Sequence, residues 1–86
     1  MKLKIPPKIV IGGVESDIKI TSMSDHGSFH TQTQLIELSN ELKGDFKSET
    51  FLHEILEAIN YRYELKLKHR QITALSAALW QVLKQI

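Results

Sequence analysis

An 86-residue chain with 42% hydrophobic and 24% charged residues can bury one modest core but not two, which excludes global disorder and favours a single domain over residues 1–86. The absence of cysteine excludes a disulfide framework, a thiolate metal site and a thiol nucleophile; no apolar run approaches the ~20 residues that span a bilayer, so a soluble cytoplasmic protein is expected. Net charge is +1, but all ten acids lie between Glu15 and Glu64, so that residues 1–14, 15–64 and 65–86 carry +3, −6 and +4.

Pro6 and Pro7 hold back regular structure until Lys8, after which Ile9, Val10 and Ile11 form a β-rich run. Gly12-Gly13 supplies a turn, and Ile18 to Thr21 is expected to pair back as a hairpin. The Ser, Asp and Gly content of residues 22–28 reads as a loop. From Phe29 to Leu38 the sequence FHTQTQLIEL is rich in β-formers and predicts a third strand with a partly exposed first half.

Residues 39–47 read as a connector turning at Gly44 and Asp45, with Ser48 as the N-cap of a helix. Leu52, Ile55, Leu56, Ile59 and Tyr63 recur at helical spacing. A second helix is expected from Arg70 or Gln71, with Ile72, Leu75, Leu79, Val82, Leu83 and Ile86 as its core stripe and Ala74, Ala77 and Ala78 permitting close approach. The order βββαα predicts an α+β domain: a small antiparallel three-stranded sheet over 8–38 and a helical hairpin over 48–86, both helices covering one sheet face.

The first helix carries a constellation with chemical meaning. At about 100° per residue, His53, Glu57, Asn60 and Glu64 fall within roughly 60° of one another beside the apolar stripe, with Glu54 at the far edge of this polar strip. An imidazole and a carboxylate at i and i+4 approach one ion from adjacent turns, the interval used by the His-Glu-x-x-His helix of zinc peptidases. This spacing makes His53 and Glu57 candidate metal ligands and Glu54 the candidate catalytic base.

The run Glu49 to Leu83, ETFLHEILEAINYRYELKLKHRQITALSAALWQVL, resembles the helical part of small bacteriophage and prophage proteins of the minimal zincin type. Those proteins resemble metallopeptidase cores and carry Leu-His-Glu-x-x-His-Ala. Leu52, His53, Glu54 and Ala58 match that motif, while Glu57 stands where its second histidine would be, a variant that recurs among phage proteins. The resemblance covers a little under half the chain, and the preceding strands agree loosely. It implies a phage-type zincin-like domain in a bacterial cytoplasm, Zn2+ as the ion, peptide or protein as partner, and a metallopeptidase-like hydrolase that is weak or inactive. A second anionic ligand lowers the Lewis acidity that activates water, so binding is easier to defend than hydrolysis.

A catalytic zinc site also needs a third protein ligand. In one zincin group it is a glutamate on the next helix, but no acid follows Glu64. His69 is the nearest donor. Were the helix to run to Leu65, the site would lie ~15 Å back along its axis, while four extended link residues cover at most ~14 Å. His69 therefore reaches the site only if the link doubles straight back or the helix ends near Tyr61; His30 and His26 are the alternatives.

Rival readings stand beside these. Glu57 could hydrogen-bond His53 and hold it protonated, and His69 could serve as a connector or helix cap. The aromatics Phe29, Phe46, Phe51, Tyr61, Tyr63 and Trp80 read as core filling. Lys66, Lys68 and Arg70 form a basic stretch that reads first as a solvated face; nucleic-acid binding through them is a third and weaker reading, because base-stacking aromatics are not interleaved with these charges. The alternative function is a metal-free interaction module, a homodimer or an adaptor for phage or host proteins, with Trp80 as its handle.

Overall fold

The computed structural model describes residues 3–86. Its elements are β1 (Lys8–Ile11), β2 (Val14–Thr21), β3 (Gly27–His30), β4 (Leu35–Ser39), α1 (Gly44–Tyr63) and α2 (His69–Leu83). The α+β class is as expected, but the sheet is four-stranded and mixed rather than three-stranded and antiparallel. Its order is β1-β2-β4-β3, with β2 parallel to β4 and the other two pairs antiparallel.

The difference arises inside the Phe29 to Leu38 run. Gln34 adopts a left-handed φ of 57° and its side-chain amide donates to the Thr31 carbonyl, so residues 31–34 turn and the run folds back on itself. Phe29 then faces Ile36, and His30 faces Leu35. β4 enters the sheet beside β2, pairing Ile18 with Ile36 and Thr21 with Ser39, and β3 is left at the edge. The first hairpin is also tighter than expected. Gly12 and Gly13 both have positive φ, 59° and 78°, and close a two-residue turn that pairs Ile11 with Val14, so β2 begins at Val14 and not Ile18.

Alternation along the strands sends Ser16, Ile18, Ile36 and Leu38 inward, and Ile36 and Leu38 are fully buried. α1 meets them with Phe51, Ile55, Ala58 and Ile59, the i, i+4, i+7, i+8 pattern of one helix face. The helix starts a turn before the expected Ser48 cap. Lys43 is extended, Lys47 already donates its N–H to the Lys43 carbonyl, and Asp45 supplies the first-turn anion.

α2 packs on α1 and makes no contact with the sheet, which corrects the expectation that both helices lie on it. The layers are sheet, α1, α2. A helix with a single neighbour buries a narrow seam, here Ile72, Ser76 and Trp80, one residue per turn. Most of the expected core stripe therefore lies outside: Leu75, Leu79, Val82 and Ile86 are 47%, 40%, 56% and 85% exposed. Trp80 is buried, and its indole N–H donates to Asp45 Oδ1 at 3.0 Å while Lys84 Nζ lies 3.2 Å from Oδ2. These donors hold the Asp45 carboxyl below the usual range, with the indole the larger cause, and they tie the end of α2 to the start of α1. Among the described residues, no helix is long and apolar enough to cross a membrane.

Candidate metal centre

His53 and Glu57 stand one turn apart on α1, and His69 opens α2. One donor atom from each lies within 4.8 Å of the other two. His53 Nε2 is 3.8 Å from Glu57 Oε2, His69 Nδ1 is 3.9 Å from the same oxygen, and the two imidazole rings meet edge to face at 4.9 Å between centroids.

His69 arrives because the link doubles back. Glu64 and Lys66, neither of them glycine, take left-handed φ values of 52° and 60° and reverse the chain directly after Tyr63. The helix end is closed by the Leu65 N–H on the Asn60 carbonyl at 3.1 Å. The Asn60 side chain then grips Leu67 twice: its Oδ1 accepts the Leu67 N–H at 2.8 Å, and its Nδ2 donates to the Leu67 carbonyl at 3.3 Å. Gln71 Oε1 accepts the Lys68 N–H at 2.7 Å and fixes the start of α2. His69 is thus both the first residue of α2 and a neighbour of Glu57.

The other two histidines are placed elsewhere. His30 lies with its Nε2 2.6 Å from Glu37 Oε1 and 3.1 Å from Ser28 Oγ, on the sheet face that alternation turns away from α1. His26 packs edge to face on Phe46 at 4.8 Å.

Burial lowers the pKa of His53, and this outweighs the opposing pull of Glu57; His69 lowers it further. The imidazole is therefore held toward its neutral, ligating form. The rival reading, a hydrogen bond to Glu57 that keeps His53 protonated, does not hold, since 3.8 Å exceeds hydrogen-bond distance. Glu54 is 6% exposed, and burial, then the charge of Glu57, push its carboxyl up to about 7. The room for it is made by Gly27 on β3, where an added Cβ would stand 3.1 Å from Glu54 Oε2 and 3.2 Å from the Glu37 carbonyl.

Two cavities, of about 430 and 460 Å³, share Gly27, His53, Glu54 and His69 and lie on either side of these donors. The first continues past His26, Phe46, Thr73 and Ala77, the second past Phe29, Asn60 and Tyr61. Phe46 and Tyr61, expected as core residues, are half exposed and wall this cleft instead. A signal for the cleft is present in the sequence only in retrospect: Gly27 precedes the aromatic strand residue Phe29 by the two residues that put both on one face.

The donor set fits a small divalent cation. Ligands at ~2.0 to 2.2 Å in tetrahedral array stand about 3.4 Å apart, so the 3.8 and 3.9 Å to Glu57 require closure by a few tenths of an ångström, and the widest donor separation, up to 4.8 Å, requires closure by more than one. His69, exposed at the head of its helix, has the freedom to supply it. Three protein donors would hold such an ion and leave one coordination position for another ligand. Comparison with known protein families, with curated proteins and with solved structures found no match for this chain.

Proposed function

We propose that this chain is a small zincin-like domain of phage type that holds Zn2+ between His53, Glu57 and His69 and binds peptide, with Glu54 as its general base and with weak or vestigial hydrolysis. The observation that supports it is the convergence of three donors from two helices within 4.8 Å, at a site where burial keeps His53 neutral. A nitrogen and oxygen donor set of this kind suits zinc. The bound ion would supply a Lewis acid.

The chain's own residues would do the rest. Glu54, titrating near 7, has the proton affinity to accept a proton from water at its carboxylate and to return one to a leaving amine. The edge strand β3 borders the cleft through Gly27 and Phe29 and offers its backbone to an extended peptide; β4 is interior. Glu57 in place of an imidazole adds negative charge beside the ion and slows hydrolysis, which favours a binding or regulatory role.

The test is metal content. Protein purified without chelator is expected to carry one zinc per chain, and His53→Ala, Glu57→Ala and His69→Ala are each expected to lose it. Unchanged stoichiometry in those variants removes the site. Glu54→Gln should retain zinc and lose any residual peptide cleavage.

A metal-free interaction module is the second reading, favoured by the exposed apolar flank of α2. Its expected handle, Trp80, is buried against Asp45.

A further inference from the structure

We infer that the cavity between the two helices, reaching from His53 to Phe46, is a side-chain pocket for lysine or arginine, so that the cleft selects peptides carrying a basic residue. The inference rests on the peptide-binding reading and adds the chemistry of what is bound. On α1 the wall is Phe46, Glu49, Thr50 and His53, at i, i+3, i+4 and i+7; on α2 it is Thr73 and Ala77, at i and i+4. From His53 the groove follows α1 back to Phe46, ~10 Å along the helix axis, and the segment from Asp25 to Gly27 borders it.

A buried carboxyl marks this cavity as one that receives a ligand. Glu54 is 6% exposed and faces the cavity, and among the described residues no group donates a hydrogen bond to it. A buried polar group left without a partner is costly, and a molecule from outside can supply the partner. Charge then says what kind of molecule. Asp25 and Glu49 border the cavity, and among the described residues neither takes part in an ion pair and no lysine or arginine lines it. The opposing charges are weaker. The N-terminus of α1 contributes about half a positive charge against two full negative ones, and an ion held beyond His53 would lie about one Debye length, ~10 Å, from Phe46. The walls suit an alkyl stem: Phe46 is half exposed, and Ala77 and the methyls of Thr50 and Thr73 continue the surface. Lysine and arginine lay their stems on such a surface and keep the charged head in water, here beside the exposed Asp25. An uncharged stem would bury the same surface and leave both carboxylates unmatched.

The experiment measures retention of short peptide pools on the immobilised, zinc-loaded full chain. Each pool is randomised except at one central position, fixed as Lys, Arg, Met or Glu. The Lys and Arg pools are expected to be held about 10-fold more strongly than the Met pool, and the Glu pool least of all. Asp25→Asn with Glu49→Gln should abolish the difference between Lys and Met while zinc per chain stays at the wild-type value. Ala77→Phe, at an exposed position, should fill the pocket and abolish it too, which a general attraction of basic peptides to an acidic surface would not predict. Equal retention of the Lys and Met pools by wild type overturns the proposal and leaves peptide binding in place. A preference that survives either variant overturns the pocket. Retention of no pool by the zinc-loaded chain overturns the peptide reading and this proposal with it.

Discussion

Glu54 places a carboxyl between α1 and β3, where water reaches it only through the cleft. An ordinary glutamate titrates near 4.5 and this one near 7, so folding favours its protonated form. Below pH 4.5 folded and unfolded chains both hold the proton and the group leaves stability unchanged. As pH rises through the window to 7 the unfolded chain releases its proton first, and stability falls by about 3 kcal/mol in all. Glu54→Gln removes that dependence: in urea titrations of the metal-free protein the variant should match wild type near pH 4 and exceed it by up to about 3 kcal/mol near pH 8. His53 acts in the opposite direction. Its depressed pKa supports the fold above 6.5 and loses that support as pH falls, but it is common to both proteins and cancels in the difference.

At the level of elements, the site depends on a link that reverses within five residues. Asn60 holds it at both backbone groups of Leu67, so Asn60→Ala should release His69 from Glu57 without disturbing His53. The expected result is a 10- to 100-fold loss of zinc affinity by calorimetric titration, with the fold retained. A variant that binds zinc as tightly as wild type would show that the link needs no such clamp.

What the sequence discloses at this scale is local. The i, i+4 placement of His53 and Glu57, the apolar face of α1 and the Gly12-Gly13 hairpin are legible because each depends on neighbours within two helical turns or one turn of chain. The split of the Phe29 to Leu38 run is less so, since Gln34 carries no glycine-like mark of its left-handed backbone, although the polar TQTQ between FH and LI has the length of a turn. Glu64 and Lys66 hide the reversal of the link in the same way. The expected α2 stripe was apolar in composition, but composition does not say which apolar face finds a neighbour. Phe46, Tyr61 and His26 come to the cleft from three separate segments, and no spacing within one segment could place them there.

For the molecule as a whole, α2 is the outermost layer and rests on α1 alone. It is held by the Ile72, Ser76, Trp80 seam, by the Asp45 tether at one end and, on the proposed reading, by an ion at the other. An ion bridging both helices binds the folded state and not the unfolded one. At zinc 100-fold above its dissociation constant the added stability is about 2.7 kcal/mol, which for a domain of this size raises Tm by roughly 10 to 20 °C. Thermal scans with zinc and with chelator should differ by this amount for wild type and by nothing for His69→Ala. A shift that persists in the variant would place the bound ion elsewhere.

Gly27 meets Glu54 across 27 positions of chain, whereas His53, Glu57 and His69 all fall within 17 contiguous residues. On the proposed reading, holding a cation is therefore encoded nearby, and reactivity at a distance, because the glutamate base has its surroundings only where the sheet delivers Gly27 to it. On that reading the two capacities can be inherited separately: drift in β3 would extinguish any turnover and spare the ion, leaving a receptor.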